Sequence, residues 1–278
     1  MTQLDGFFLD GIRFASPNAG PGAFFTCFCP RCEAAARRHG YDFARMRRDV
    51  TWLEEAVASG STGELSTSGV SRASASDLLD LLLRLPGAVD WLRFRADCTV
   101  EHVQAVRTVV DAAPGKVLGA YLFTPSLAPL VGQPYHRLEP LLDVVSPMIY
   151  RLGDGDAVLG SELASLARLV AAAAGLAPGD AADLALGLMG LEQALLVGSQ
   201  GDLAPGFAPA SVAREVARAA ARLGGNAKLV PIIWLDDPLL AKSAATCRDA
   251  VGLCLFVLDD ATRARAVEAA AAWRNVAH

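Results

Sequence analysis

The chain has 278 residues, of which 53% are hydrophobic and 20% charged, with 25 Lys and Arg against 30 Asp and Glu. This length suffices for one large α/β domain or for two ordinary ones, and the apolar content excludes a wholly disordered chain. The formal net charge of -5 argues against a surface that follows phosphates, so we expect no nucleic-acid partner.

Neither a membrane partner nor export is predicted. The longest uncharged stretch, residues 117–135, contains Pro125, Pro129 and Pro134, which a lipid-exposed helix would not tolerate so closely spaced. The first residues, MTQLDGFF, lack the basic region and the small-residue cleavage site of a signal peptide. Six cysteines are too few for a disulfide scaffold, which indicates reduced thiols and a cytoplasmic location.

Short apolar runs alternate with helical patterns along the chain. Runs rich in β-branched and aromatic residues predict strands within residues 4–14, 116–123, 142–150, 184–190, 228–235 and 251–258. Most of these runs are hydrophobic throughout, which is typical of strands buried on both faces of a parallel sheet. Helices are predicted over residues 88–113 (one helix or two), 161–176, 210–223 and 260–276, the last with Asp259 or Asp260 as its N-cap.

This alternation predicts an α/β fold in a single domain spanning residues 1–278. A doubly wound sheet is disfavoured because neither GxGxxG nor GxxxxGK(S/T) occurs, and polar residues end several strands, as at the rim of a (β/α)8 TIM-type barrel. Only six strands are recognisable and the first begins at residue 4, so we expect a barrel that is incomplete at its N-terminus.

Two further features bear on the completeness of this barrel. An open barrel edge would need a cover, such as a neighbouring copy in a homo-oligomer, another partner chain or a rearranged segment. Between the first two strands, residues 59–76 are rich in Ser, Thr and Gly and predict a flexible segment.

The strongest local signal lies at the end of the first strand, in FFLDGIRF. Asp10 stands where a barrel strand opens to its active-site face, so its carboxylate is a candidate nucleophile, general acid or stabiliser of positive charge on a sugar ring. Arg13, three residues on, is predicted to hold Asp10 ionised and to contact substrate. The alternative is that Asp10 and Gly11 form the turn that ends the strand.

Glycoside hydrolysis needs a second carboxyl group about 5 to 9.5 Å from the first. PIIWLDDP places Asp236 and Asp237 at a strand end beside Trp234, an aromatic platform of the kind that sugar sites use. The alternative for these two aspartates is a turn or a helix N-cap. Glu192, also a candidate substrate contact or a plain surface residue, and Asp259 are weaker candidates for the second carboxylate.

SPMIYR ends another predicted strand, where Tyr150 and Arg151 are expected to face the rim and bind substrate. Tyr150 would stack on a ligand ring or hydrogen-bond it, with Met148 lining the pocket. The alternative is a core tyrosine whose hydroxyl group is satisfied within the protein.

CFCPRC carries Cys27, Cys29 and Cys32 at C-x-C-x-x-C spacing, and three such thiolates could share one Zn²⁺. A fourth ligand would come from His39, Cys98 or solvent, and an iron–sulfur cluster would need Cys98. Alternatively, the three are buried thiols that pack this loop onto the barrel. The sequence suggests Zn²⁺ as a cofactor ahead of an iron–sulfur cluster.

Together these motifs resemble those of the hypothetical glycosyl hydrolase families of bacterial (β/α)8 barrels. LDGFFLDGIRF followed by CFCPRC is similar to an fDGifxD-type strand that precedes a C-x-C-P-x-C segment, WLRFRADC resembles a W-x-x-FR helix, and LLDVVSPMIY resembles a vDxvsPMxY strand. The resemblance covers most of residues 4–260 and implies a sugar-binding barrel in which Asp10 is the catalytic acid or nucleophile.

The sequence therefore predicts a glycoside hydrolase that acts on a carbohydrate through strand-end carboxylates, with Asp10, Asp236 and Asp237 as its catalytic residues. Two alternatives stay open: a barrel that binds carbohydrate without cleaving it or acts as a scaffold, and a metal-binding barrel that uses the cysteine cluster. A serine hydrolase of the common kind is disfavoured because no GxSxG elbow occurs.

Overall fold

The structure is a computed structural model, and it describes residues 4–59, 75–153, 155–191, 206–256 and 262–275. The segment predicted to be flexible, 59–76, therefore lies almost wholly outside the described residues. The same holds for Glu192, Asp259 and Asp260. Within the described ranges the chain is a mixed α/β protein, as predicted.

Short parallel strands form the centre of the fold. They are β1 (Gly6–Leu9), β2 (Val117–Leu122), β3 (Val144–Pro147), β4 (Lys228–Leu229), β5 (Ile232–Trp234) and β6 (Cys254–Phe256). Strands β1 to β4 form one sheet in chain order, and β5 pairs with β6. The break between β4 and β5 falls at Val230 and Pro231, because proline has no N–H to donate to a neighbouring strand.

The two sheets adjoin along β3. The Val230 N–H donates to the Val145 carbonyl group, and the Ile149 N–H donates to the Ile232 carbonyl group, both at 2.9 Å. Strand order across the described strands therefore follows chain order, with β1 and β6 at the edges. The strands of the described residues do not form a complete (β/α)8 barrel.

The helices are α1 (Pro21–Phe24), α2 (Pro30–Arg38), α3 (Phe43–Ser59), α4 (Ala75–Arg84), α5 (Pro86–Asp111), α6 (Tyr135–Leu138), α7 (Leu159–Ala174), α8 (Pro178–Met189), α9 (Pro209–Arg222), α10 (Leu240–Ala245) and α11 (Arg263–Arg274). Proline is the first residue of α1, α2, α5, α8 and α9, because an N–H at that position would have no acceptor within the helix. Gly175 and Gly190, both in the left-handed region, end α7 and α8. The predicted helix over 88–113 is one helix, α5.

One predicted strand is wrong and the other five are confirmed. Residues 184–189 lie in α8, where Ala181, Ala182, Ala185 and Leu186 are buried at helical spacing. An apolar run this short does not by itself distinguish a strand from a buried helix, and here the helical period decides.

The two faces of the sheet differ in burial. Leu118, Ala120 and Leu122 of β2 are fully buried against the main core, and their side chains alternate with Gly119 and Tyr121 on the opposite face. We call that opposite face the open face; its aromatic and thiol side chains are Phe8, Tyr121, Tyr150, Trp234, Cys254 and Phe256. Phe8 and Phe256 are 45% and 48% exposed, so the described residues leave this face partly uncovered.

A second hydrophobic cluster joins the segment after β1 to α3 and α5. Phe24, Phe25, Met46 and Trp91 are buried in it. The Arg95 guanidinium group lies 4.4 Å from the centre of the Trp91 ring and donates to two main-chain carbonyl groups, at residues 15 and 130. These contacts hold the chain that leads from β1 to the cysteines.

Among the described helices, none is by itself both long and apolar enough to cross a membrane. Helices α7 and α8 meet the length and composition criteria only as a pair, and they are bent by 118° at the break between them.

Candidate functional site

Asp10 lies at the carboxyl end of β1 and is exposed. It shares the open face with Phe8, because side chains two residues apart in a strand point the same way. Its Oδ1 accepts a hydrogen bond of 2.7 Å from the Gly11 N–H, and Gly11 has φ +66°, a conformation that favours glycine. The Asp-Gly turn is therefore formed, and it leaves the carboxylate facing solvent.

Arg13 pairs with a carboxylate other than that of Asp10, which corrects the predicted contact between these two residues. The Arg13 guanidinium group pairs with Asp156 at 2.8 Å and lies 5.2 Å from the centre of the Phe123 ring. The chain after β1 turns at Gly11, and this turn directs Arg13 to the loop that follows β3. No ion pair joins Asp10 to a cation among the described residues.

Asp10 acts electrostatically on two tyrosines of the open face. Burial raises the pKa of Tyr121, and its proximity to the Cys254 sulfur and to the Asp10 carboxylate raises it further. Burial raises the pKa of Tyr150 as well, and Cys254, Asp10 and Tyr121 raise it further. Both hydroxyl groups therefore stay protonated at neutral pH and can donate hydrogen bonds beside the Asp10 carboxylate.

Tyr150, Trp234 and Phe256 form an aromatic cluster on the open face. Their ring centres are 5.4 Å apart for Tyr150 and Trp234, 5.8 Å for Tyr150 and Phe256, and 6.4 Å for Trp234 and Phe256. Gly153, at φ +101°, lies against the indole, where an added Cβ would be 3.2 Å from the ring. Tyr150 is mostly buried in this cluster, whereas Trp234 is half-buried and Phe256 is exposed.

Asp237 and Arg151, predicted as catalytic and substrate-binding residues, bind each other in the interior. Both side chains are 3% exposed, and the Arg151 guanidinium group contacts both carboxylate oxygens, with Nε at 2.6 Å from Oδ2. The carboxylate also accepts from the Ser243 hydroxyl group at 2.8 Å and from the Leu239 N–H at 2.7 Å. Every oxygen of Asp237 is thus engaged in fixing the start of α10, which corrects both predicted roles.

Asp236, the neighbouring candidate, is 69% exposed and 3.6 Å from Arg265 of α11. This ion-pair partner belongs to α11 and not to the segment that carries Asp10. Asp156, which the sequence-based prediction missed, pairs with Arg13 and is thereby linked to the segment that follows Asp10. Little in the sequence marks Asp156 as a functional residue, because it belongs to a GDGD run that is typical of an ordinary loop. Glu192 lies outside the described residues.

The three predicted metal-ligating cysteines do come together. Their Sγ atoms all lie within 4.8 Å of one another, and those of Cys29 and Cys32 are 3.7 Å apart. Cys29 is the N-cap of α2, and Cys32 lies in its first turn. The Cys32 N–H and the neighbouring thiols lower the pKa of Cys29 to about 7, whereas burial raises the pKa of Cys32 to about 12.

An apolar cavity of about 260 Å³ lies away from the strand ends, among α3, α4, α5, α7 and α8. Leu53, Trp91, Leu166 and Leu169 are among the residues that line it, together with few polar side chains. It contains none of the sequence-predicted site residues, so it does not contribute to the open-face site.

Comparisons of the chain with protein-family models, with curated proteins and with solved structures find no match.

Proposed function

We propose that the open face binds a carbohydrate and that Asp10 is the carboxylate that acts on it, in a protein of glycoside-hydrolase type. The observation that carries the proposal is the position of Asp10: an exposed carboxylate at a strand end, without a described cationic partner, beside tyrosines of an aromatic face. Sugar rings present apolar C–H faces and hydroxyl rims, which match aromatic rings and hydrogen-bonding groups respectively.

The charge of the site favours a neutral ligand. Arg13 is the cation nearest along the chain to Asp10, and its charge is offset by Asp156 at 2.8 Å. The Asp10 carboxylate therefore gives the site a net negative charge, which repels phosphates and carboxylates. The same carboxylate accepts hydrogen bonds from sugar hydroxyl groups. A neutral or cationic saccharide fits this balance better than an anionic one.

Hydrolysis requires a second carboxyl group, and we place it at Asp156 rather than at Asp236 or Asp237. Asp237 has no free oxygen for substrate or water, and the ion-pair partner of Asp236, Arg265, belongs to α11 rather than to the segment after Asp10. Asp156 is 56% exposed, and its partner Arg13 follows Asp10 by three residues. In this scheme Asp10 is the nucleophile or the base, and Asp156 is the group that exchanges a proton with the leaving oxygen or water.

The fold also supports an incomplete barrel. All described strands are parallel and follow chain order, an arrangement that a barrel shares and a doubly wound sheet does not. The edge strand β1 exposes Phe7 by 47%, and the adjoining Leu4 is 61% exposed. A second copy of the chain that pairs with this edge would cover both side chains and satisfy the free main-chain groups of β1.

Binding and cleavage are tested separately. Titration of the purified chain with maltotetraose, cellotetraose and xylotetraose, followed by tryptophan fluorescence and calorimetry, should reveal saturable binding of at least one sugar. Release of nitrophenol from the matching aryl glycosides then reports hydrolysis. Binding without turnover would reduce the proposal to a sugar-binding protein, and the absence of both would refute it.

A further inference from the structure

The cysteine cluster lies on a segment that the rest of the protein holds in place. Trp91 of α5 donates from its indole N–H to the Thr26 carbonyl group at 3.0 Å, immediately before Cys27. Phe24 and Phe25 are buried against the same tryptophan. The chain therefore enters the cluster from an anchored position, and the three sulfur atoms do not need a ligand to be brought together.

Helix α2 arranges the other two cysteines. It begins at Pro30, so Cys29 occupies the N-cap and Cys32 the first turn, and the Glu33 N–H closes this turn on the Cys29 carbonyl group at 3.0 Å. The amino end of a helix carries partial positive charge, which stabilises thiolates located there. Both cysteines thus project from one helix end toward Cys27.

The sulfur separations suit a tetrahedral metal ion. With Zn–S bonds of about 2.3 Å, two thiolates on one Zn²⁺ lie about 3.8 Å apart. The Cys29 and Cys32 Sγ atoms are 3.7 Å apart, and the third sulfur is within 4.8 Å of each. Since all three cysteines are free and partly exposed, an ion can reach them from solvent.

The described residues offer no fourth protein ligand. His39, at the far end of α2, is about 10 Å along the helix from Cys32 and binds Glu101 at 3.0 Å. Cys98 packs in the same hydrophobic cluster as Cys32 but does not belong to the group of mutually close ligand atoms.

We infer that Cys27, Cys29 and Cys32 bind one Zn²⁺ through three thiolates, with the fourth coordination position open to water or to a small exogenous ligand. Such a site carries a net charge of about -1, which the amino end of α2 offsets. Binding releases the protons of the coordinating thiols and ties the chain after β1 to α2. The bound Zn²⁺ fixes a loop that α5 contacts through Trp91, and the three cysteines are not part of the open face.

The test begins with the unaltered full chain, prepared without a histidine tag. Elemental analysis should find one zinc per chain, and Co²⁺ in its place should give thiolate-to-metal charge-transfer absorption together with the strong visible bands of a tetrahedral ion. Imidazole or a small thiol should shift those visible bands by occupying the fourth position. Zinc-free protein that takes up no Co²⁺ would overturn the site, and bands that imidazole and thiols leave unchanged would overturn the open position.

Cysteine variants locate the ligands. Replacing Cys27, Cys29 or Cys32 by Ser should lower the Zn²⁺ affinity at least about 100-fold, more than the loss of a group that merely supports a ligand. Cys98→Ser and Cys254→Ser are matched controls that should keep the affinity. Loss of the ion from Cys98→Ser would contradict the open fourth position.

Thiol labelling of the unaltered chain tests the site without the risk that a cysteine variant misfolds. Zn²⁺ should protect three of the six thiols from maleimide in the unaltered chain, and a chelator should expose them again. A disulfide between Cys29 and Cys32 in protein purified anaerobically, detected by mass spectrometry, would instead overturn the metal site.

Discussion

The buried ion pair of Arg151 and Asp237 distinguishes a structural role from a catalytic one. In Asp237→Ala the Arg151 charge, 3% exposed, would lose its carboxylate and keep only the Phe207 carbonyl group and the Ser243 hydroxyl group as described partners. Removing one partner of such a pair costs about 3 to 5 kcal/mol of the free energy of unfolding, because the other charge stays buried and uncompensated. The lost contacts to Ser243 and Leu239 act in the same direction.

Urea denaturation followed by circular dichroism measures this cost. With a slope of about 3 kcal/mol/M, the midpoint of Asp237→Ala should fall by about 1 M or more. Asp236→Ala is the matched control: its side chain is 69% exposed, and we expect a change within about 0.5 kcal/mol. Equal midpoints for the two variants would refute the structural role of Asp237 and return it to the list of candidate catalytic residues.

Two further predictions concern stability and assembly. Asp143 accepts hydrogen bonds from the Leu118 N–H and from Arg107, which outweigh the effect of burial and lower the pKa of this carboxyl group. A lowered pKa stabilises the folded state at pH values above the pKa of the unfolded chain, and this stabilisation is lost as the pH falls through the pKa of the folded state. Asp143→Asn should therefore destabilise the protein at pH 7 and match the parent chain well below pH 4, and a constant difference in urea midpoint across that range would contradict this. Phe7→Lys should shift the chain toward monomers in sedimentation equilibrium, because Phe7 lies on the β1 edge that a second copy is proposed to cover. Val109→Lys, on the exposed side of α5, is the control and should not shift it. A parent chain that is already monomeric would refute the proposed pairing at the β1 edge.

The sequence predicted those features that depend on neighbouring residues. Buried parallel strands appear as continuous apolar runs, so five of them could be located, and the cysteines converge because their spacing combines with a proline that starts α2. The predicted strand at 184–190 failed for the opposite reason, since a short apolar run carries no information on which period its burial follows.

Pairings between distant segments were beyond the sequence. Arg13 and Asp156 are 143 residues apart, and Arg151 and Asp237 are 86 apart, so no local pattern connects them. Both arginines follow strand ends, where a cation serves equally well as a ligand for substrate or for an internal carboxylate. Only the packing around each guanidinium group decides between these roles, and it is the fold that determines this packing.

The central claim is that the open face binds a neutral saccharide through Asp10. Calorimetric titration of Asp10→Asn with the oligosaccharide that the parent chain binds tests it most directly, with Asp5→Asn, an exposed aspartate at the other end of β1, as the control. We predict at least about a tenfold loss of affinity for Asp10→Asn, the equivalent of 1.4 kcal/mol, with an unchanged urea midpoint. The same affinity in Asp10→Asn and Asp5→Asn would contradict the claim.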